Sequence, residues 1–275
     1  MPELPETETI ARGLDRAIAG ARIARVRVHH ADVLREVSSA AFKRRLAGAR
    51  IGRTTRRAKL VVTELDNGLR LVVQPRFTGA LLLDAGALPA SARTHLAITL
   101  ELDDGRALHY ADVRRLGTVA LMRPDRWRAY ESRLGREPLD PEFTPILLSG
   151  LLRGSRQAVK KLLMDQRRLA GVGNIYATEA LWRAGVDPSR AGRTITAAEA
   201  SQLHAGLTSV LREAVEARGT SFRDYRDSDG ARGGFAARLA AYGRAGLPCP
   251  RCGARLVGTH AIDSRATVFC PHCQR

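Results

Sequence analysis

All four cysteines of the chain lie in its last 27 residues, and their spacing constrains the fold more than any other feature. They form two Cys-x2-Cys pairs, Cys249/Cys252 and Cys270/Cys273, separated by 17 residues. Each pair can present two thiolates from a tight turn, and an intervening hairpin can return the second pair to the first. The alternatives are two disulfides or four unrelated thiols. The spacing predicts one structural Zn²⁺ held by four cysteines, a closed site with no position left for chemistry.

The overall charge indicates what the chain binds. It has 275 residues and a net charge of +17, which favours a polyanionic partner, most simply nucleic acid. An anionic membrane is the weaker alternative, because the sequence contains neither a basic amphipathic helix with a bulky apolar face nor an apolar run of membrane-spanning length. The sequence begins without an apolar signal segment, so we expect a cytoplasmic location in which thiols stay reduced.

Arginine supplies almost all of the positive charge. Only four of the 45 Lys and Arg residues are lysine, namely Lys43, Lys59, Lys160 and Lys161. Genomic base composition can produce this bias. Lysine, unlike arginine, can release its proton and act as an acid, a base or a nucleophile. The retained lysines are therefore candidates for chemistry, although Lys43 lies in an ordinary helical run.

Hydrophobic periodicity divides the chain into a β-rich part and a helical part. The first segment, residues 3–19, is predicted to be a helix because Ile10, Leu14 and Ile18 share one face. Seven or eight short strands follow within about 125 residues, which favours a two-layer β-sandwich or flattened barrel. The predicted strands cover residues 23–28, 60–65, 69–73, 80–83, 96–102, 107–110 and 118–122, with a short helix at 40–46.

A proline-rich stretch, residues 137–145, marks the boundary to the helical part. Helices are predicted at residues 160–169 and 175–184 and, after the capping box Thr196-x-x-Glu199, from Ala197 onwards. Residues 219–234 form a loop punctuated by glycine.

The turn between the first two of these helices could bind an anion. Gly171-Val-Gly173-Asn174 places Asn174 as the N-cap of the second helix, and the glycines would let a phosphate approach the exposed amide groups. The surrounding segment, residues 151–193, carries nine Lys or Arg against three Asp or Glu. The alternative is a plain capped turn. The local charge favours a phosphate site.

Arg265 lies between the two cysteine pairs, at the exposed end of the predicted zinc hairpin. Its guanidinium could bind two phosphate oxygens at once. The alternative is a solvated surface arginine.

The amino terminus could carry a nucleophile. If Met1 is removed, Pro2 presents a secondary amine at the head of a helix, and such an amine can attack an electrophilic carbon to form an iminium. Glu3 stands beside it as a proton carrier. The alternative is a proline that begins a helix with acidic residues in its first turn, which is a common pattern.

Several motifs, in this order and spacing, resemble those of the formamidopyrimidine-DNA glycosylases. The resemblance runs through nearly the whole chain. The motifs are Pro2-Glu-Leu-Pro-Glu6, Arg56-Arg-Ala-Lys59, Asp112-Val-Arg-Arg-Leu-Gly117, Leu169-Ala-Gly-Val-Gly-Asn-Ile-Tyr176, Tyr242-Gly-Arg-Ala-Gly-Leu-Pro-Cys249, Arg265-Ala-Thr267 and Cys270-Pro-His-Cys273-Gln274.

The resemblance implies an α+β multidomain chain. It would consist of an N-terminal catalytic β-sandwich with a leading helix (residues 1–132), a helix–two-turn–helix domain (133–240) and a four-cysteine zinc-finger domain (241–275). Damaged double-stranded DNA would lie across the cleft between the domains. The implied protein is a bacterial, nucleoid-associated monomer without a nucleotide cofactor or a membrane attachment.

The resemblance also assigns roles to individual residues. Pro2 would attack C1′ of the damaged nucleotide and form a Schiff base, and Glu3 would be the general acid/base. Lys59 would donate a proton during β-elimination, and Arg265 would take part in δ-elimination and contact phosphate. The positions that match DNA-contacting residues are His95, Arg114, Arg156 and Asn174.

Two residues that would fill the space of the extruded base depart from the family pattern. Phe77 stands where the family usually has Met, within Gln74-Pro-Arg-Phe-Thr-Gly79, and Leu116 stands where it usually has Phe. Both remain apolar wedges of suitable size. Arg156 replaces a lysine, which preserves charge but not proton chemistry. These changes bear on the preferred lesion and opposite base, and they leave strand scission intact.

The leading interpretation is a bifunctional DNA glycosylase/AP lyase that removes oxidised purines such as 8-oxoguanine and formamidopyrimidines. One alternative is an endonuclease VIII-like enzyme for oxidised pyrimidines. Another is a non-catalytic DNA-binding zinc-ribbon protein, which only Pro2, Glu3 and Lys59 argue against.

Overall fold

The computed structural model describes residues 2–84, 88, 90–222 and 225–275. It divides into two compact units, Met1–Ser132 with Ala217–Gly234, and Arg133–Glu216 with Phe235–Arg275. The segment Ala217–Gly234 thus packs with the first unit, although in the sequence it follows the helices of the second. The domain boundaries at 132/133 and 240/241 stay a prediction.

The described residues of the first unit form two largely antiparallel sheets and four α-helices. In chain order the elements are α1 (Leu4–Ile18), β1 (Ile23–Val28), β2 (Leu34–Arg35), α2 (Ser39–Leu46), β3 (Ile51–Arg57), β4 (Leu60–Leu65), β5 (Arg70–Gln74), β6 (Gly79–Asp84), α3 (Ala90–Arg93), β7 (Leu96–Leu102), β8 (Ala107–Asp112), β9 (Thr118–Met122) and α4 (Pro124–Glu131). One sheet has the strand order β1-β7-β8-β6, and the other has the order β2-β9-β5-β4-β3, in which β2 and β9 run parallel and the remaining neighbours antiparallel.

The core of this unit lies between the two sheets and under α1. Ile10, Leu14 and Ile18 of α1 are buried, as their spacing predicts, and they join one cluster with apolar residues of both sheets. Phe42 of α2 is also fully buried in this cluster. The prediction of a β-sandwich with a leading helix is confirmed.

The sequence prediction missed β3. Its residues read Ile51-Gly-Arg-Thr-Thr-Arg-Arg57, and only Ile51 and Thr54 are buried. β3 lies at the edge of its sheet next to β4, and five of its seven residues are half-buried or exposed. A strand of this kind carries too little hydrophobic alternation to be recognised from sequence.

The second unit contains four helices and a two-stranded hairpin. These are α5 (Pro145–Leu152), α6 (Val159–Met164), α7 (Asn174–Ala184), α8 (Ala197–Glu216), β10 (Val257–Thr259) and β11 (Thr267–Phe269). The capping box predicted for α8 is present, since Thr196 N donates to Glu199 Oε2 at 2.8 Å and Glu199 N donates to Thr196 Oγ1 at 3.2 Å.

The helix predicted at residues 160–169 is wrong in its length. α6 ends at Met164, and Asp165 begins a turn in which its carboxylate accepts a hydrogen bond from Arg167 N at 3.0 Å. Aspartate favours such turns because its side chain competes with the helix for backbone donors. Among the described residues, no helix has the length and apolar character needed to cross a bilayer.

Candidate functional site

The first helix begins at the predicted nucleophile and proton carrier. Pro2 is buried, and Glu3, with 2 % of its surface exposed, is the residue at which α1 is capped. Glu3 N donates to Glu6 Oε2 at 2.8 Å, and the hydroxyl of Thr7 donates to Glu3 O. The chain start is therefore held in one conformation, with a carboxylate next to Pro2.

Glu6 connects this helix end to the segment Ala217–Gly234 of the same unit. Its Oε1 accepts a hydrogen bond from Thr220 N at 2.7 Å, and its carbonyl oxygen accepts one from Tyr225 OH at 3.3 Å. Gly219 has φ +85°, and a Cβ at this position would overlap the Glu6 side chain. Only glycine both adopts this positive φ readily and lacks the Cβ that would overlap Glu6. Glu6 was not predicted as a site residue, because the contact depends on a segment more than 200 positions away.

Lys59 lies in the two-residue turn between β3 and β4 and is 9 % exposed. Ala58, the first residue of the turn, has φ +54°, a conformation that costs energy for a residue with a Cβ. Arg56 secures the turn, since its guanidinium donates to Ala58 O at 3.1 Å and to Glu8 Oε2 of α1 at 2.8 Å. The turn that carries Lys59 is thus joined to the helix that begins at Pro2 and Glu3.

The Glu8 carboxyl is charged in this arrangement. Burial alone would raise its pKa, but the positive charge and hydrogen bond of Arg56, with a further contribution from Arg12, hold the pKa below its usual value. An ionised Glu8 gives Arg56 a permanent partner. The Lys59 turn is therefore stabilised by an ion pair.

The predicted wedge residues lie in neighbouring loops of the first unit. Phe77 follows β5 and is 46 % exposed, whereas Leu116 follows β8 and is 40 % exposed. The guanidinium carbon of Arg114 lies 5.1 Å from the centre of the Phe77 ring, within the range of a cation–π contact. The structure brings all three side chains to one corner of the sandwich.

Two further predicted DNA contacts lie in turns. His95 is half-buried in the turn before β7, and its carbonyl oxygen accepts a hydrogen bond from Asp112 N at 2.9 Å. Arg156 is exposed in the connection between α5 and α6 of the second unit. The Arg156 side chain is therefore accessible to solvent, as a phosphate contact requires.

The prediction that Asn174 is the N-cap of α7 is wrong by one position. Gly173, with extended backbone, is the cap, and Asn174 is the first helical residue. The Asn174 amide is turned to the zinc hairpin instead, where its Nδ2 donates to Ala266 O at 2.9 Å. Its Oδ1 is buried without a hydrogen-bond partner among the described residues. Asn174 therefore joins the start of α7 to the loop that carries Arg265.

Arg265 is exposed in the loop between β10 and β11, as predicted. Lys160, which is fully buried, supports this loop from α6: its Nζ lies 2.5 Å from Thr267 Oγ1 and 3.7 Å from Asp263 Oδ1. Asp263 Oδ1 also accepts a hydrogen bond from Arg265 N at 3.2 Å. No site role was predicted for Lys160. Its survival as a lysine in an arginine-rich chain marked it only in general, together with the other three lysines.

The four cysteines meet at one point of the second unit. Their sulfur atoms all lie within 4.8 Å of one another, and the four are free thiols. Sulfur atoms at this separation fit the corners of a tetrahedron around Zn²⁺, whose bonds to sulfur are about 2.3 Å long. The donor set is the soft thiolate set that zinc prefers in structural sites. The predicted four-cysteine zinc site is confirmed, and its closed ligand set gives it a structural role.

The pKa values of the cysteine thiols also indicate that a cation is needed between them. Burial raises the pKa of Cys249, but hydrogen bonds from the Trp182 indole and from backbone N–H groups outweigh burial and lower the pKa to about 6. The hydrogen bond that the Cys273 thiol donates to Cys252, together with burial and the neighbouring thiols, raises the pKa of Cys273 to about 12. The four thiolates cannot all form side by side without a positive ion between them.

Hydrogen bonds and a cation–π contact hold the zinc module against α7. Trp182 Nε1 donates to Cys249 Sγ at 3.5 Å, and the Arg251 guanidinium lies 4.6 Å above the Trp182 ring. The Gln274 amide accepts from Cys270 N at 2.8 Å and donates to Val186 O at 2.8 Å. The metal ligands are therefore oriented by partners outside the cysteine pairs.

Three family models match successive parts of the chain. Residues 1–119 match the N-terminal domain of formamidopyrimidine-DNA glycosylase, residues 134–226 match its H2TH domain, and residues 246–275 match the zinc finger found in FPG and IleRS. The prediction of an α+β chain with these three parts is confirmed.

Full-length relatives and solved structures agree with the family models. The chain is 42 % identical to the formamidopyrimidine-DNA glycosylase of Roseiflexus sp. (strain RS-1), with 100 % of both chains covered, and 42 % identical to that of Thermomicrobium roseum, with 100 % of this chain and 99 % of the relative covered. A Lactococcus lactis FPG mutant in complex with a Fapy-dG containing DNA matches with a TM-score of 0.92 and 31 % identity, with 100 % of both chains covered. The MutM (FPG) protein from Thermus thermophilus matches with a TM-score of 0.87 and 39 % identity, with 99 % of this chain and 98 % of that chain covered. The chain belongs to the formamidopyrimidine-DNA glycosylase family, a family of DNA-repair enzymes.

Proposed function

We propose that this protein is a bifunctional DNA glycosylase/AP lyase that removes oxidised purines from double-stranded DNA. The observation that carries the proposal is the arrangement at the start of α1, where Pro2 is followed by a buried carboxylate, Glu3. The turn that carries Lys59 is joined to the same helix by the Arg56–Glu8 ion pair. A non-catalytic DNA-binding protein would need none of these three residues.

The proposed reaction begins once Met1 has been removed. The lone pair of the Pro2 nitrogen attacks C1′ of the damaged nucleotide, the bond from C1′ to the base breaks, and the base leaves with a proton. The bond between C1′ and the sugar ring oxygen then breaks, which gives an iminium between Pro2 and C1′. Glu3 carries the protons to and from the sugar. The base must leave the stack for C1′ to be reached, so the helix has to be opened at that point.

Strand scission follows from the iminium. It withdraws electrons from the neighbouring carbon, so a proton leaves C2′ and the 3′ phosphate is expelled by β-elimination. A second elimination expels the 5′ phosphate. Lys59 is proposed to donate a proton in the first elimination, and Arg265 to bind phosphate in the second.

The basic residues supply DNA binding in this proposal. Arg114, Arg156 and Arg265 are exposed, His95 lies in the turn before β7, and Asn174 is the first residue of α7. Exposed guanidinium groups displace counterions from DNA phosphates when they bind. The affinity for DNA should therefore fall steeply as the salt concentration rises. Lactococcus lactis Fpg has been solved with DNA containing an abasic site and with DNA containing Fapy-dG, which supports DNA as the partner of this chain.

The lesion preference has a second candidate. One Lactococcus lactis Fpg structure contains DNA with an oxidised pyrimidine. We therefore propose oxidised pyrimidines as the alternative lesion class for this chain, to be compared with 8-oxoguanine and formamidopyrimidines by single-turnover kinetics on otherwise identical duplexes.

Borohydride trapping on a duplex with one abasic site tests the proposed chemistry. Reduction of the iminium should link the protein to DNA through Pro2, and mass spectrometry of the adduct should locate the link at that residue. Pro2→Gly should give far less adduct, whereas Pro5→Ala, a matched proline substitution in the first turn of α1, should trap like the wild type. Binding without any adduct would leave the non-catalytic alternative standing.

A further inference from the structure

Two loops that carry the predicted wedge residues leave the sandwich at the same corner. The first loop connects β5 to β6 and the second connects β8 to β9, and each crosses from one sheet to the other. The ends of the loops are paired, since Gln74 is opposite Thr118 and Gly79 is opposite Asp112. The two loops are therefore adjacent at both ends. A contact that holds one loop to the other also determines the position of Phe77 relative to Arg114.

The Asp112 carboxylate lies between these loops and is 1 % exposed. Its Oδ1 accepts a hydrogen bond from Thr78 Oγ1 at 2.5 Å. Its Oδ2 accepts hydrogen bonds from Gly117 N at 2.8 Å and from Tyr110 OH at 3.1 Å. Thr78 belongs to the first loop and Gly117 to the second. One buried carboxylate thus holds both loops through hydrogen bonds to a charged acceptor, which are stronger than neutral ones.

The hydroxyl of Thr78 extends this connection to the residue that contacts Phe77. Thr78 Oγ1 accepts a hydrogen bond from Arg114 N at 3.1 Å while it donates to Asp112. The backbone of Arg114 is therefore fixed to the loop that carries Phe77, and its guanidinium lies over the Phe77 ring.

The corner is closely packed around this carboxylate. A Cβ at Gly117 would overlap the Tyr110 hydroxyl, and one at Gly79 would overlap both that hydroxyl and the carbonyl oxygen of Pro75. The pKa of Tyr110 is raised well above its usual range by burial and by the charge of Asp112, so its hydroxyl remains a donor. The carboxylate therefore has little room to move between its donors.

We propose that Asp112 is the positioning residue of the base-displacing wedge: it fastens the loop of Phe77 to the loop of Arg114 and Leu116, and so sets how these three side chains enter the duplex. The inference rests on the proposed function, because a wedge is needed only by a protein that extrudes a base. Asp112 itself contacts no DNA in this account. It acts through the loops.

Asp112→Asn tests the inference with almost no change of shape. An amide has one accepting oxygen. If that oxygen faces Gly117 N, the NH₂ group replaces Oδ1, which accepts from Thr78 Oγ1 and, at 3.3 Å, from Arg114 N; the Thr78 hydroxyl must then accept instead of donate, and the Arg114 bond is lost. In the opposite orientation the NH₂ group faces Gly117 N–H, and in either case the remaining bonds are the weaker bonds of a neutral group. With 2-aminopurine opposite an abasic-site analogue, we expect the fluorescence change that reports wedge insertion to need about tenfold more protein. The ratio of rates with different opposite bases should shift as well. The wild type must first trap abasic DNA with borohydride, and failure there would refute the proposed function before Asp112 is tested.

Two comparisons separate positioning from general stability. In a Phe77→Ala background, Asp112→Asn should have little further effect on the fluorescence change, because the wedge that it positions is gone. An equal loss in both backgrounds would overturn the inference.

Thr78→Val and Thr78→Ser form a matched pair that does not depend on the folding of Asp112→Asn. Valine keeps the shape and removes the hydroxyl, so it should reproduce the fluorescence defect, whereas serine keeps the hydroxyl and should behave like the wild type. If the two variants respond alike, or if the defect follows the melting temperature instead of the hydroxyl, Asp112 does not position the wedge.

Discussion

The start of α1 and the tip of the zinc hairpin are built in opposite ways. Glu3 and Lys59, at the first region, are buried, and their surroundings are fixed by hydrogen bonds and by the Arg56–Glu8 ion pair. Arg265, at the second region, is exposed, and the groups that fix its loop lie beneath it, where Lys160 meets Thr267. The residues predicted to carry the chemistry are therefore buried, whereas the residue predicted to contact phosphate is exposed on a loop that buried groups hold in place.

This difference has a physical consequence. A buried carboxylate acts in a medium of low polarity, where its effect on a reacting bond is strong and little affected by salt. An exposed guanidinium acts on phosphate through water, so its contribution depends on ionic strength. Substitutions at the first region should change rates, and those at the second should change affinity or the stability of the second unit.

Removal of zinc should have the largest effect, and it should destabilise the second unit while leaving the first nearly unchanged. Each unit contains one of the two tryptophans, Trp127 in α4 and Trp182 in α7. Metal binding to a site of four cysteines stabilises a folded zinc module on the order of 10 kcal/mol. Chelation, or Cys270→Ser, should therefore change the fluorescence of Trp182 in a Trp127→Phe protein.

The control for this experiment is the Trp182→Phe protein, which keeps only Trp127. Its emission and its unfolding midpoint should change little when zinc is removed, because the four cysteines that hold zinc all belong to the second unit. Equal changes at both tryptophans would show that the two units unfold together and that zinc stabilises both of them.

Glu3→Gln should give the second-largest effect, a loss of rate. Removing a general acid/base lowers turnover about 10²- to 10⁴-fold. Affinity for an abasic-site analogue and its salt dependence should stay near the wild-type values, because the carboxylate is buried and contacts no phosphate in the proposed reaction. Single-turnover rates and binding titrations at several salt concentrations measure both quantities. A changed salt dependence with an unchanged rate would place Glu3 in binding instead of chemistry.

Lys160→Met should destabilise the second unit. Removing one partner of a buried ion pair leaves the other charge without compensation, at a cost of about 3 kcal/mol. The carboxylate of Asp263 would lose its cation, and the loop of Arg265 would loosen. The free energy of unfolding should be measured by denaturant titration with Trp182 as the reporter. Lys161→Met is the matched control: it removes the neighbouring, exposed lysine of α6 and should change stability by less than about 0.5 kcal/mol.

Lys160 also shows where prediction from sequence ends. The scarcity of lysine singled out Lys160 and Lys161 together, but only the fold shows that one is buried and the other exposed. The partner of Lys160, Thr267, is 107 positions away. Glu179 is similar, since its carboxylate accepts hydrogen bonds from the backbone of residues 240–242, about 60 positions along the chain. Contacts of this length leave no local pattern.

Local patterns did predict the elements that depend on neighbours in sequence. The apolar face of α1, the capping box of α8 and the cysteine pairs were found because spacing alone determines them. The strand β3 was missed because it lies at a sheet edge with few apolar residues. The same limit applies to the site: its residue types could be predicted, and the buried groups that hold them could not.

Arg265→Ala should weaken binding to every duplex by a similar factor, about tenfold, and reduce the slope of log affinity against log salt by about 1. The reason is the loss of one phosphate contact, which carries no information about the base. Titrations with lesion-containing and undamaged duplexes measure the effect. Arg255→Ala, which removes an exposed arginine outside the hairpin tip, should have a smaller effect. A loss confined to one lesion would contradict a phosphate contact and assign Arg265 to lesion recognition.

The smallest expected effect concerns acid stability, and we expect it in the second unit alone. Both oxygens of Glu199 pair with the Arg190 guanidinium, at 2.5 Å and 3.0 Å, and these hydrogen bonds, with those from Thr196, lower the pKa of Glu199 to about 2. Since the folded-state pKa is below the usual 4.5, the ion pair stabilises the fold fully above pH 4.5 and is lost as the pH falls from 4.5 towards 2. Glu199→Gln should flatten this part of the stability profile when Trp182 reports and leave it unchanged when Trp127 reports. Glu142→Gln, an exposed matched substitution, should leave both profiles unchanged, and flattening by Glu142→Gln as well would mean that general charge, and not the Arg190 pair, controls acid unfolding.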